Sequence, residues 1–139
     1  MAAEKILVVD DSIVVVKALQ LKLARAGLQV TTATDGSAAL AAVRRERPDL
    51  IVLDINFPPD VGHGGGIAWD GFLIMQWLGR IEEAKDIPIV IITGQKSDSC
   101  REQAMKAGAR AFLTKPVDHN ALIGTIREIL SAAPIPAGI

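Results

Sequence analysis

The chain has 139 residues, of which 50% are hydrophobic, enough for one domain with a substantial core and too few for two ordinary domains. Its 15 Lys and Arg residues are balanced by 16 Asp and Glu residues, so no strong basic field attracts nucleic acid. A single Cys excludes an internal disulfide, and neither a signal peptide nor an apolar run of membrane-spanning length is seen. These totals predict a cytoplasmic protein whose partners are other proteins or small anions.

Strand-like and helix-like patterns alternate along the chain. Short apolar runs rich in β-branched residues predict strands, and apolar residues three or four positions apart predict the helices between them. The predicted strands are Lys5–Val9, Gln29–Ala33, Leu50–Asn56, Ile89–Ile92 and Ala111–Leu113. The predicted helices run from near Ser12 to Ala26, from Ala38 to Glu46, from Gly71 to about Glu83, from Ser97 to Ala107 and from a cap at Asp118 to Leu130. This order predicts an α/β fold with a doubly wound, five-stranded parallel sheet and five helices. We expect one domain over residues 1–131 and a C-terminal tail over residues 132–139, where two prolines disfavour regular structure.

The stretch Leu50–Asn56 is the strand around which the rest of this prediction is organised. It is apolar on both faces, as expected for the centre of a parallel sheet that helices cover on both sides. Near its end stands Asp54, whose charge costs free energy beside an apolar interior unless it is paired or bound to a metal. Ligands of such sheets bind beyond the carboxyl ends of the strands. Asp54 is therefore the first candidate for chemistry.

Polar side chains stand at or just after the ends of four of the five predicted strands. They are Asp10 and Asp11 after the first strand, Asp54 in the third, Thr93 after the fourth and Lys115 after the fifth. Parallel strands bring these positions to one edge of the sheet. Carboxylates gathered there repel each other unless a cation lies among them, and their hard oxygen ligands suit Mg²⁺. A lysine and a threonine hydroxyl beside such a metal form a site for a phosphoryl group, with Asp54 as the nucleophile.

These residues and their spacing closely resemble the receiver domains of two-component response regulators, over about Lys5 to Leu130. The resemblance implies a flavodoxin-like fold with strand order 2-1-3-4-5, and a switch activated by Mg²⁺-dependent transfer of a phosphoryl group from the phosphohistidine of a histidine kinase. The resemblance implies that Asp54 is the phosphoacceptor and that Mg²⁺ is held by Asp11, Asp54 and the backbone carbonyl of Asn56, with Asp10 supporting the metal through water. It implies phosphoryl contacts for Thr93 and Lys115, an aromatic switch role for Phe112 and a cis peptide bond between Lys115 and Pro116. Asn56 and Gln95 would tune dephosphorylation.

The resemblance also implies the partners. The phosphoryl donor would be a sensor histidine kinase or a phosphotransfer protein, and the signal would pass to a downstream protein through the surface of the fourth helix, fifth strand and fifth helix. No DNA-binding or enzymatic segment follows the last predicted helix. We therefore expect output through protein contacts, without direct binding to nucleic acid or membrane, and with a homodimer left open. A receiver catalyses only its own phosphorylation and dephosphorylation, so the chain is not expected to be an enzyme. If it is part of a longer regulator, residues 132–139 begin a linker.

The segment Pro59–Trp69 departs from the family pattern. The glycine that follows the phosphoacceptor in typical receivers corresponds to Gly71 here, which makes Pro59–Trp69 an insertion. Long loops inside compact domains are usually either functional or disordered. One interpretation is a lid at the phosphorylation edge, with His63 or Trp69 contacting a partner. The other is a tolerated surface insertion without a role.

Other interpretations of the same residues stay open. One of Asp10 and Asp11 could instead cap the first helix, and Phe112 could serve packing alone. For the whole chain, the alternatives are a phosphatase of the haloacid-dehalogenase type with an Asp nucleophile, and an unphosphorylated pseudo-receiver that acts as a scaffold. The phosphatase signature requires a second Asp two residues after the first, where this chain has Ser12 or Asn56. The intact phosphorylation residues argue against the scaffold.

Overall fold

The structure, a computed structural model, describes residues 4–54, 71–94 and 98–131. Strands and helices alternate along these residues, as the sequence predicts. The strands are β1 (Lys5–Val9), β2 (Gln29–Ala33), β3 (Leu50–Asp54), β4 (Ile89–Thr93) and β5 (Ala111–Thr114), and the helices are α1 (Ile13–Arg25), α2 (Gly36–Glu46), α3 (Gly71–Arg80), α4 (Asp98–Lys106) and α5 (His119–Ser131). None of the helices in these ranges has the length and apolar character needed to span a membrane.

The five strands form one sheet in the order β2-β1-β3-β4-β5, and every neighbouring pair is parallel. This confirms the predicted fold class and strand order. All residues of β3 and β4 are buried, whereas the two edge strands are partly exposed. Val9 of β1 lies opposite Leu53 of β3, and Asp54 lies opposite Ile92 of β4. The carboxyl ends of the three central strands therefore reach the same edge of the sheet.

Helices cover both faces of the sheet, so the core has two layers. Helices α1 and α5 pack on one face, and helices α2, α3 and α4 pack on the other. Side chains alternate along β1: Ile6 and Val8 face α1 and α5, whereas Leu7 and Val9 face the opposite layer. Strands that are buried on both faces must be apolar at every position, which is why β3 and β4 read as continuous hydrophobic runs.

Carboxylate caps fix the starts of α2 and α5. Asp35 Oδ1 accepts a hydrogen bond from the Ala38 N–H at 2.7 Å, and Asp118 Oδ1 accepts one from the Ala121 N–H at 3.2 Å. Because the cap accepts from the third helical residue, a cap at Asp35 places the first residue of α2 at Gly36. The predicted start of this helix at Ala38 was therefore two residues late.

Tight turns end the other helices. Gly27 and Gly108 have φ angles of 93° and 108°, so the chain leaves α1 and α4 through the left-handed region that glycine favours. After Arg80 the chain leaves α3 through turns that bury Ala84, so α3 is shorter than the predicted helix to about Glu83.

Helix α5 is joined to α1 across the same face of the sheet. Leu122 and Ile126 are fully buried in the layer that α1 also lines. The Arg127 guanidinium donates a hydrogen bond of 2.5 Å to the carbonyl of Ala26, the residue that follows α1. A carbonyl at the end of α1 thus receives a cationic donor.

Candidate functional site

Asp10 is the first acidic side chain of the site, and the turn between β1 and α1 holds it in place. Its N–H donates to the Ala33 carbonyl at 3.1 Å, and its Oδ1 accepts from the Ser12 N–H at 2.9 Å. The side chain is fully buried. Ser12 caps α1, since its Oγ accepts from the Val15 N–H at 3.3 Å. The interpretation of Asp10 or Asp11 as the helix cap is therefore wrong.

Asp54 and Thr93 stand at the ends of the two central strands β3 and β4. Asp54 is 1% exposed and Thr93 is 0% exposed, so both polar side chains belong to the buried edge of the core. Lys115 is attached to the same edge, because its N–H donates to the Thr93 carbonyl at 2.7 Å. The peptide bond between Lys115 and Pro116 is cis. The fold thus brings together the residues that the sequence placed after four separate strands.

The Lys115 ammonium lies between two carboxylates. Its Nζ is 2.8 Å from Asp10 Oδ2 and 3.2 Å from Asp54 Oδ2, with which it forms a hydrogen bond. Burial alone lowers the pKa of this lysine, but the close contact with Asp10 and the charge of Asp54 outweigh it and raise the pKa above its ordinary value. Lys115 therefore stays protonated and carries a positive charge at this edge of the sheet.

Asp11 is the exposed member of the cluster. Partial burial raises the pKa of its carboxyl group, and the close contact and negative charge of Asp10 raise it further, against a smaller opposing effect of Lys115. A raised pKa means that the carboxylate is destabilised by its surroundings. A cation beside Asp11 removes that cost.

The carboxylates of Asp10, Asp11 and Asp54 offer ligand atoms within 4.8 Å of one another. Asp10 Oδ2 is buried and, apart from its ion pair with Lys115, has no hydrogen-bond partner of good geometry among the described residues. Three convergent carboxylates with such an oxygen have the chemistry of a Mg²⁺ site, because Mg²⁺ prefers a few carboxylate ligands and keeps several waters. The residues present therefore fit the metal that the sequence predicts.

The comparisons with known proteins agree with this geometry. The family model described as "Response regulator receiver domain" matches residues 6–127. The chain belongs to this family. Receiver domains are the signalling modules of two-component response regulators, and they generally bind Mg²⁺ at an acidic pocket. The recognition made from the sequence motifs is confirmed.

Relatives of this receiver domain differ in length. The chain is 37% identical to the response regulator PleD of Caulobacter vibrioides over 125 residues. This alignment covers 90% of the chain and 26% of PleD. It is 33% identical to protein PilH of Pseudomonas aeruginosa over 127 residues, an alignment that covers 91% of the chain and 98% of PilH. The chain thus spans about a quarter of one relative and nearly the whole of another. Among solved structures, the chemotaxis protein CheY4 of Vibrio cholerae is similar, with a TM-score of 0.81, 30% identity and coverage of 92% of this chain and 99% of that one.

Phe112 lies in β5, the edge strand beside β4. It is partly buried and packs against the core cluster of α2, α3 and α4, and it pairs in register with Ile91 of β4. The predicted residues Asn56, His63, Trp69 and Gln95 lie outside the described residues of the receiver domain, as does the insertion Pro59–Trp69.

Sequence reasoning missed two contributors to the site. Ser12 caps α1 and donates its N–H to Asp10, so it orients that carboxylate. A serine directly before an apolar helical pattern is the usual signature of such a cap and identifies this role in hindsight. The sequence analysis also missed the short contact of Lys115 with Asp10. These residues follow β5 and β1, which are not neighbours in the sheet, and a sequence pattern does not give the distance between them.

Proposed function

We propose that the receiver domain is a phosphorylation-activated switch in which Asp54 accepts a phosphoryl group from the phosphohistidine of a histidine kinase or phosphotransfer protein, in a Mg²⁺-dependent reaction. One observation carries this proposal. Asp54 stands at the carboxyl end of the central strand, 3.2 Å from the Lys115 ammonium, and its carboxylate lies within 4.8 Å of those of Asp10 and Asp11. That combination of a nucleophile, a fixed cation and a metal-binding cluster is what phosphoryl transfer requires.

Asp54 provides the attacking oxygen. Lys115 Nζ lies 3.2 Å from Asp54 Oδ2, and an opposite charge at this distance favours the ionised, nucleophilic form of the carboxyl group. During transfer a carboxylate oxygen of Asp54 forms a bond to phosphorus while the bond between phosphorus and the imidazole nitrogen of the donor breaks. The core position of Asp54 fixes the direction of attack, which is the main contribution a protein makes to a reaction of this type.

Asp10, Asp11 and Asp54, together with the backbone carbonyl of Asn56, would hold the Mg²⁺ ion. When bound, the ion neutralises negative charge on the transferring phosphoryl oxygens. Thr93 and Lys115 would contact the same oxygens, the hydroxyl as a donor and the ammonium as a charge. Thr93 stands at the end of β4, next to β3, and the Lys115 N–H donates to the Thr93 carbonyl, which supports these two roles.

Phosphorylation would change the surface formed by α4, β5 and α5. An aspartyl phosphate adds about −1.5 to −2 of charge beside Thr93 and Lys115, by analogy with other phosphorylated side chains. Movement of Thr93 toward the phosphoryl group would free space that Phe112, partly buried on β5, could occupy. This proposal makes Phe112 the link between the site and a downstream protein partner.

A protein phosphodonor needs a docking surface near Asp54, and the start of α1 offers one. Ile13 and Val14 are 58% and 74% exposed, which is unusual for large apolar side chains. They follow Asp11 and Ser12 directly, so they flank the phosphorylation edge. We propose that the kinase or phosphotransfer protein packs on this surface while its histidine approaches Asp54.

Incubation with Mg²⁺ and acetyl phosphate, followed by intact mass spectrometry, tests the function. We expect one added phosphoryl group on the wild type, which hydroxylamine removes, and none on Asp54→Asn. Asp49→Asn is the matched control, because Asp49 flanks the other end of the same strand and should not affect labelling. Labelling of Asp54→Asn to the wild-type extent would refute the assignment. Turnover of many phosphate esters per protein would support the phosphatase, and no modification in any variant would support the scaffold.

A further inference from the structure

The last turn of α5 is less firmly packed than the middle of this helix. The buried side chains of α5 are Leu122 and Ile126, and every residue from position 127 to position 131 is exposed or only partly buried. A cavity of about 280 Å³ adjoins this turn, lined by Glu4, Ala26, Gly27, Leu28, Arg127, Leu130 and Ser131. Apolar burial therefore anchors the middle of α5 more firmly than its end.

Arg127 connects this turn to the end of α1. Its guanidinium donates a hydrogen bond of 2.5 Å to the carbonyl of Ala26, and both residues line the cavity. Its own backbone carbonyl accepts a hydrogen bond from the Ser131 hydroxyl, the last residue of the helix. Arg127 is exposed, so water can replace the lost partner when its bond to Ala26 breaks. Breaking this bond therefore costs little compared with unfolding of the buried strands.

The α1 side of this contact is the better anchored side. Leu28 is buried, and its N–H donates to the Leu23 carbonyl at 3.2 Å. The Gly27 N–H donates to the Ala24 carbonyl at 3.0 Å. The turn that carries Ala26 is thus tied both to α1 and to the core. If the contact with Arg127 breaks, the end of α5 is the part that moves.

We propose that the bond from Arg127 to Ala26 is a latch that holds the last turn of α5 against the end of α1. Its release opens residues 129–131 while the sheet and the rest of α5 stay folded. The chain continues from this turn into residues 132–139, so the latch acts at the point where the chain leaves the domain core. The end of α5 is thereby a two-state element, and a protein that binds at the end of α1 can bias it.

Hydrogen exchange of the backbone amides tests the latch. Arg127→Met removes the donors and keeps an unbranched stem. We expect it to speed exchange at residues 129–131 roughly three- to tenfold, the factor that loss of one hydrogen bond gives. Arg25→Met is the matched control, because Arg25 is an exposed cation in the last turn of α1 whose side chain has no hydrogen bond or ion pair among the described residues. Unchanged exchange at residues 129–131 in Arg127→Met, or an equal increase in Arg25→Met, overturns the proposal.

The urea dependence of exchange in the wild type gives a second measurement that needs no variant. A local opening exposes little surface, so exchange at residues 129–131 should change little with urea below the unfolding transition. Amides of β3 and β4 should instead show the steep dependence of global unfolding, because both strands are completely buried. The same steep dependence at residues 129–131 would mean that the turn opens only when the domain unfolds, which overturns the proposal. Neither measurement uses a metal or a phosphodonor, so the result is independent of the proposed function.

Discussion

Three carboxylates and one ammonium group make up the charged part of the site. Asp10, Asp11 and Asp54 can together carry three negative charges, of which Lys115 balances one. The raised pKa of Asp11 is one measure of the remaining repulsion. The residues that make a cation site therefore cost stability when no cation is bound. This exchange of stability for function is common where like charges are brought together.

Asp11→Asn tests this cost. In the presence of a chelator at neutral pH, we expect the substitution to raise the free energy of unfolding, by less than about 1 kcal/mol because Asp11 is exposed to solvent. The raised pKa means that the folded protein binds protons more tightly than the unfolded chain, so the destabilisation is present above that pKa and disappears as the pH falls below the ordinary value. Urea titrations at neutral and acidic pH measure the difference, with Asp86→Asn as an exposed control. A gain that persists at low pH would contradict the electrostatic explanation.

For single residues, the sequence predicts which side chains lie close together at the site. It does not predict which hydrogen bonds and ion pairs they form. The positions of Asp10, Asp54 and Lys115 follow from strand ends, because parallel strands in register must end at one edge. The bond from the Ser12 N–H to Asp10 and the bridge from Lys115 to Asp10 depend on side-chain distances of a few ångströms. A one-dimensional pattern does not contain those distances.

The cap at the start of α5 lies close in sequence to a residue of the site. Helix α5 begins shortly after Lys115 and Pro116, so its cap also fixes the corner that carries the lysine. Asp118 Oδ1 accepts from the N–H groups of Asn120 and Ala121 at 2.9 and 3.2 Å. A carboxylate therefore caps the start of α5.

Asp118→Ala removes this cap. We expect a loss of about 1 kcal/mol in the free energy of unfolding, the usual cost of replacing an Asp cap by Ala. Asp118→Asn should retain most of the stability, because its side-chain carbonyl can accept the same hydrogen bonds. Chemical denaturation of the three proteins provides the comparison, and equal losses for Ala and Asn would exclude the capping explanation.

Gly124 lies inside α5, and a methyl group there would meet no atom within 4 Å. Gly124→Ala should therefore raise the free energy of unfolding by about 0.5–1 kcal/mol, because glycine costs helical backbone entropy. Gly27→Ala is the matched substitution, since its site is equally open but has a φ of +93°. Here we expect destabilisation by about 1–2 kcal/mol from backbone strain alone. Thermal unfolding curves for both variants, with opposite shifts in Tm, check the prediction.

Element boundaries were predicted to within about three residues, and the misses share a cause. The sequence pattern locates apolar faces well, but it locates ends only where a cap or a glycine is recognised for what it does. The sequence predicts α2 from Ala38, the residue whose N–H donates to Asp35, whereas the cap at Asp35 places the first helical residue at Gly36. The last predicted residues of α3 instead form turns that bury Ala84.

The whole molecule is a sheet between two helical layers, and both layers depend on the same central strands. The class and strand order were predictable because five alternating strand and helix patterns allow few other arrangements. Leu19 of α1 and Leu78 of α3 are nearly fully buried in opposite layers. Because both layers pack on the same sheet, we expect them to unfold as one cooperative unit.

Leu19→Ala and Leu78→Ala test this coupling. Each substitution leaves a cavity in one layer, and we expect each to lower the free energy of unfolding by about 2–5 kcal/mol. If the layers unfold together, circular dichroism and tryptophan fluorescence will report a single, coincident urea transition in both variants. Separate transitions for the two signals would show that the layers unfold independently.

The complete burial of β3 and β4 has a consequence for the timescale on which the site keeps its shape. Backbone amides in such strands exchange their hydrogens with solvent mainly when the whole domain unfolds. Asp54 and Thr93 are the last residues of these strands, so both are attached to the most protected backbone of the protein. Local fluctuations elsewhere can alter access to Asp54, but the backbone that carries this residue keeps its position for as long as the domain remains folded.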